Sequence, residues 1–177
     1  MFKNFVKYNH ILVTGPQRSG TAIAAKMIAK DTGHKYVDEY DYDTANEDKF
    51  LVVLANNKNI AVQCPAMSHL VHEIADEDTL VVVMMRNCDD IVASEKRVRW
   101  FVGPYTELAR FGMSRYRAKR FRLQNGRVSE LKYKRWREEQ RDKIPHYLEL
   151  EYESLSGHPM WIPKEKRVNF GGKQTEL

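Results

Sequence analysis

Gly15 and Gly20 bracket an arginine in the run Gly15-Pro16-Gln17-Arg18-Ser19-Gly20-Thr21-Ala22. These types at this spacing suit one task, the binding of an anion. Glycines let the backbone fold closely around the anion, and the free N–H groups of a following helix point at it with the helix dipole behind them. Arg18 adds a full cation beside those donors. The glycines have the spacing of a P-loop, but Thr21 and Ala22 stand where such a loop ends in Lys and Ser or Thr. The alternative is a tight turn without a ligand, and a cation among backbone donors argues for the anion.

A second group follows the apolar run Leu80–Met85: Arg86-Asn87, then Asp90, then Ser94 eight positions after the arginine. An arginine at the carboxyl end of a predicted strand points into the crevice where α/β sheets bind ligands. Its fork matches phosphate oxygens. Ser94, about two turns into the next predicted helix, is placed to face the same phosphate. The competing reading pairs Arg86 with Asp89 or Asp90. A third group is acidic: Asp38, Glu39, Asp41 and Asp43 cluster after a short predicted strand. It reads as a site carboxylate or as an exposed acidic turn.

Together these residues resemble the sulfotransferase family. GPQRSGT is similar to the Pro-Arg-Ser-Gly-Thr loop of tyrosylprotein sulfotransferases and to the Gly-Pro-Gln-Lys type of heparan sulfate N-sulfotransferases. Arg86-Asn87, Asp90 and Ser94 resemble the family's second motif, with Cys88 in place of its proline. LELEYESL, residues 148–155, is similar to the segment after the family's last strand. The resemblance runs from Ile11 to about Leu155.

The resemblance implies 3′-phosphoadenosine 5′-phosphosulfate (PAPS) as cosubstrate, adenosine 3′,5′-bisphosphate (PAP) as product, and no metal. It implies that Gly15, Pro16, Gln17, Arg18, Ser19, Gly20, Thr21 and Ala22 hold the 5′-phosphosulfate. Arg86 and Ser94 would hold the 3′-phosphate, and Arg167 and Lys173, in RVNFGGKQT, would close over it. Trp161 and Phe170 are candidates to stack on adenine or to pack the tail.

Sulfuryl transfer needs a cation at the departing bridging oxygen and a base at the acceptor. The resemblance gives the first task to Arg18. Glu39, 21 positions further on, matches the interval to the catalytic Glu of tyrosylprotein sulfotransferases, with Asp38 the nearest substitute. Cytosolic relatives use a His after the third strand. Here Gln63-Cys64-Pro65 stands there, with His69 and His72 on a later predicted helix. Gln63 also replaces a Lys carried by many relatives.

These residues need a scaffold. Ile11–Val13, Tyr36-Val37, Ile60–Val62, Leu80–Met85 and Tyr147–Leu150 read as strands. Segments 21–30, 45–55, 68–75, 89–100, 106–123 and 128–143 read as helices. The alternation predicts a P-loop NTPase-like α/β fold, three layers α/β/α around a central parallel sheet, with a helical basic C-terminal part. A single domain is expected, divided into a nucleotide-binding core (1–104), a basic helical region (105–145), and a last strand with an irregular tail (146–177).

With 177 residues, 42% hydrophobic and 30% charged, the chain suits one globular domain. The net charge of +5 is local. Between Glu107 and Lys143 stand 13 Lys or Arg against 5 Asp or Glu, a balance of +8, which leaves −3 for the rest. The two cysteines, Cys64 and Cys88, form no disulfide framework. No apolar run approaches the ~20 residues of a membrane span, and the N-terminal residues lack an apolar signal core. A cytoplasmic setting is expected.

The leading expectation is therefore a sulfotransferase using PAPS, with a carbohydrate or small-molecule acceptor bearing a hydroxyl or amine. One alternative is a small P-loop kinase using ATP and magnesium, with Asp38 or Glu39 as base or metal partner. The other is a non-catalytic nucleotide- or nucleic-acid-binding module. There, Tyr116, Phe121, Tyr133 and Trp136, interleaved with Arg and Lys, would form a stacking surface or, at helical spacing, core.

Overall fold

Seven consecutive residues from Thr79 to Met85 are apolar or β-branched, as a strand covered on both faces requires. They form β4 (Thr79–Met85), beside β1 (His10–Thr14), β2 (Lys35–Val37), β3 (Ile60–Gln63) and β5 (Tyr147–Glu151). A computed structural model describes residues 1–44, 46–97 and 128–163. The sheet order is β2-β3-β1-β4-β5, and every pairing is parallel.

Alternate residues face opposite sides. Ile11, Val13, Val82 and Met84 pack with Ala24, Ala25 and Ile28 of α1 (Thr21–Thr32). Leu12, Val62, Val81 and Val83 pack with Phe50 of α2 (Glu47–Asn56), Val71 of α3 (Val71–Ile74) and Trp136. Helices thus cover both faces, giving the expected three-layer α/β/α arrangement around a central parallel sheet. α4 (Cys88–Arg97) follows β4, and α5 (Val128–Arg135) precedes β5.

Local signals explain the ends. α1 stops at Gly33, whose φ of 77° is left-handed and whose N–H returns to the Ala29 carbonyl at 2.9 Å. α2 starts at Asn46, whose side chain accepts from the Lys49 N–H at 3.0 Å.

Two predicted helices differ from expectation. Segment 68–75 yields only the short α3, because Pro65 opens a 3-10 turn over Pro65–Met67. Segment 128–143 is helical in three pitches. α5 passes into a π turn at Trp136–Gln140 and a 3-10 turn at Arg141–Lys143. The predicted helix at 106–123 and the end of that at 89–100 lie outside the described residues.

The topology places the site. The connection from β1 runs past β3 to β2, and that from β3 runs past β1 to β4. The carboxyl ends of β1 and β3 therefore flank a switch point, where α/β sheets bind ligands. No helix among the described residues is long and apolar enough to cross a membrane.

Candidate functional site

The loop between β1 and α1 is fixed from below. Thr14 Oγ1 donates to the Cys64 carbonyl at 3.1 Å. The Cys64 N–H donates to the Val13 carbonyl at 2.9 Å. Gly15 has φ 128°, and a Cβ there would lie 2.9 Å from the Met84 carbonyl oxygen. The close approach of loop to β4 thus needs glycine.

Ser19 donates from Oγ to the Pro16 carbonyl at 2.6 Å and from its N–H to the same oxygen at 3.1 Å. Its hydroxyl hydrogen therefore closes the turn. Arg18, at φ 68°, is one of the few non-glycine residues in the left-handed region, the kind of strain that gathers at functional sites. Gly20 caps α1 with no side-chain hydrogen bond. The first-turn amides, from Thr21 onward, thus point out of the helix end with no acceptor from the side chain of the cap residue.

The second motif meets the first. Arg18 Nε donates to Ser94 Oγ at 3.2 Å, and Arg97 Nη2 lies 3.4 Å from the same oxygen. Arg86 Nη1 donates to the Arg18 carbonyl at 2.7 Å. The Arg86 guanidinium carbon sits 4.2 Å from the centre of the Tyr152 ring. Its Nε is buried and has no hydrogen-bond acceptor among the described residues. Arg18, Arg86 and Ser94, separated by up to 76 positions, are one cluster.

The electrostatics agree with that grouping. Desolvation first, then the charges of Arg97 and Arg86, lower the pKa of Arg18, with Glu95 and Tyr152 acting in the opposite sense. Arginine stays charged under such shifts, so the cluster carries positive potential at the uncapped helix end.

The acidic group divides by role. Asp38 caps the 3-10 turn Glu39–Tyr42 through a reciprocal pairing with Asp41. Its Oδ2 accepts from the Tyr36 hydroxyl at 2.5 Å. Burial, then Asp38, raise the pKa of Tyr36 far above the ordinary phenol value, so the phenol keeps its proton. Both Asp38 oxygens thus serve local structure. Glu39 is buried, at 9% exposure, which removes the exposed-turn reading for this residue. Its charge, after burial, helps push up the pKa of the Cys64 thiol. Cys64 is bonded to Val13 and Thr14, so Glu39 stands near the root of the loop between β1 and α1. Gln63 is tied to Tyr36 and Tyr42: its Oε1 lies 3.0 Å from the Tyr36 hydroxyl, and its carbonyl accepts from Tyr42 at 2.8 Å.

A recess of about 310 Å³ opens beside Gly15 and Pro16, walled by Lys132, Tyr133, Trp136 and Gln140. Tyr133 and Trp136 are buried, at 5% and 3% exposure, so they are core and not a stacking surface. Trp161 packs edge-on against Tyr152 at 5.1 Å, a tail-packing role. His69 faces Glu47 at 3.0 Å, and His72 lies 3.4 Å from Gln140. Arg167, Lys173, Phe170, Tyr116 and Phe121 lie outside the described residues.

Sequence reasoning missed Arg97 as a member of the cluster, and the tyrosines that hold Arg86. Arg97 sits three positions after Ser94, one helical turn on, which was a readable signal.

No family model matches the chain, and no curated protein matches it. The fold is similar to shikimate kinase from Acinetobacter baumannii in complex with shikimate. Identity there is 12% and the TM-score 0.47, over 85% of this chain and 88% of that one. It is also similar to an uncharacterized protein from Eubacterium ventriosum, with 13% identity and a TM-score of 0.40, over 84% and 93% of the two chains.

Proposed function

We propose that the protein is a nucleotide-dependent P-loop group transferase, and specifically a sulfotransferase that takes PAPS. The observation that carries this reading is the meeting of Arg18 and Arg97 at Ser94, with Arg86 bonded to the Arg18 carbonyl, beside the N-terminus of α1. Gathering like charges costs free energy, which an anion of matching charge offsets. The buried Arg86 Nε supports the same fit, since a phosphate oxygen supplies the acceptor it lacks among the described residues.

The loop backbone, the first turn of α1 and Arg18 hold the 5′-phosphosulfate. Arg86 and Ser94 hold the 3′-phosphate, with Arg167 and Lys173 closing from the tail. Arg18 steadies negative charge on the bridging oxygen as the sulfuryl group departs. Glu39 takes the proton from the acceptor hydroxyl or amine as the new bond to sulfur forms. The acceptor is a carbohydrate or small molecule. Thr21 and Ala22, in place of Lys and Ser or Thr, weigh against ATP with magnesium.

Calorimetric titration with PAP, beside ATP with magnesium, tests the reading. PAP is expected to bind in the micromolar range, and Arg86→Ala to weaken it about 10–100-fold, the loss of charge-assisted hydrogen bonds. Glu39→Gln is expected to keep PAP affinity within about twofold and to lower turnover about 100-fold or more. Binding of ATP and not PAP overturns the sulfotransferase reading in favour of a kinase.

A further inference from the structure

Arg86 is useful for discrimination only if its backbone is fixed where β4 ends. The strand pairs β5 up to Met85 opposite Glu151 and pairs β1 only up to Val83 opposite Thr14. Arg86 lies one residue beyond. There Tyr133, reaching from α5, takes over the partner's role. Its hydroxyl accepts from the Arg86 N–H at 2.9 Å and donates to the Met84 carbonyl at 3.0 Å, with the Arg86 carbonyl at 3.4 Å. The ring is buried, and burial raises the phenol pKa, so the hydroxyl keeps the proton that bridges to Met84.

We propose that the Tyr133 hydroxyl is the positioning residue that fixes the Arg86 peptide and thereby makes the site select a nucleotide with a second phosphate. One phenol oxygen holds both sides of the same bend, so the direction in which the Arg86 side chain leaves the sheet is set from α5. The inference rests on the reading of Arg86 as the 3′-phosphate ligand.

The test compares PAP with adenosine 5′-monophosphate, in the wild type and in Tyr133→Phe, which keeps the ring and removes the hydroxyl. Expected is a five- to tenfold loss of PAP affinity, a fold-change typical of one neutral hydrogen bond, with monophosphate affinity unchanged within about twofold. In an Arg86→Ala background the same change is expected to have no further effect on PAP. Equal losses for both nucleotides, or no loss for PAP, overturn the inference and leave the PAPS reading standing. A wild type that does not prefer PAP over the monophosphate overturns both. If Tyr133→Phe does not fold, amide exchange in the wild type decides. The Arg86 N–H is expected to exchange more slowly than that of Asn87, and to slow further with PAP but not with the monophosphate. An unprotected Arg86 amide overturns the inference.

Discussion

Gly20 is the residue on which the site turns most sharply. At φ 102°, a Cβ there would lie 2.4 Å from the Tyr152 ring. The same ring faces the Arg86 guanidinium, so a side chain at position 20 would press on the group that holds Arg86. Gly20→Ala is expected to lower unfolding free energy by at least about 1–2 kcal/mol, the left-handed penalty alone, with PAP binding lost as the ring is displaced. Urea unfolding beside calorimetry checks this: an unchanged midpoint would mean that position 20 does not hold a left-handed backbone, and unchanged PAP binding that the ring is not displaced. Gly15 and Gly20 were legible because P-loop spacing is a chemical pattern in the sequence itself. The burial of Glu39 was not legible. Its charge acts on Tyr42 of its own turn and on Cys64, which the fold brings up from the end of β3.

At the scale of elements, α1 is tied at its far end by Asp31. Its Oδ2 accepts from the Met1 amino group at 2.7 Å and the Phe2 N–H at 2.9 Å, and His158 Nε2 lies 3.1 Å from Oδ1. The amino group first, then the Phe2 N–H, hold the Asp31 carboxyl well below the ordinary carboxylate range. The folded pKa is thus below the unfolded one, about 3.9. The contribution is fully present above that value and is lost as pH falls below it. Asp31→Asn is expected to cost about 1–3 kcal/mol at neutral pH and to flatten the fall in stability between about pH 5 and 2. An acid limb identical to the wild type's would show that Asp31 is not engaged. Strands were legible where apolar residues run unbroken, as in β4, because burial on two faces leaves no alternation to misread. The π turn at Trp136–Gln140 was not: Arg, Glu and Gln favour any helical pitch. The pitch changes where Trp136 must both enter the core and donate to Glu149 at 2.8 Å.

The whole molecule carries its positive charge unevenly, and the described part of the basic stretch is largely engaged. Lys132 is buried and donates to the Pro65 carbonyl at 3.0 Å. Arg135 pairs with Glu139 at 2.8 Å and Lys134 with Glu138 at 3.8 Å. With Tyr133 and Trp136 also in the core, this stretch lacks, among its described residues, the exposed aromatic platforms that single-stranded nucleic acid stacks on. Ligand linkage separates the two kinds of partner in one measurement. A nucleotide that binds only the folded chain adds about 2.7 kcal/mol at a hundred times its Kd. For a domain of this size that raises Tm by about 5–10 °C. PAP is therefore expected to raise Tm by that amount in the wild type and by much less in Arg86→Ala at the same concentration. A single-stranded oligonucleotide at equal phosphate concentration is expected to leave Tm within about 1 °C. An oligonucleotide shift that fades steeply with salt while PAP has no effect would place the binding energy in the basic region instead of the phosphate loop.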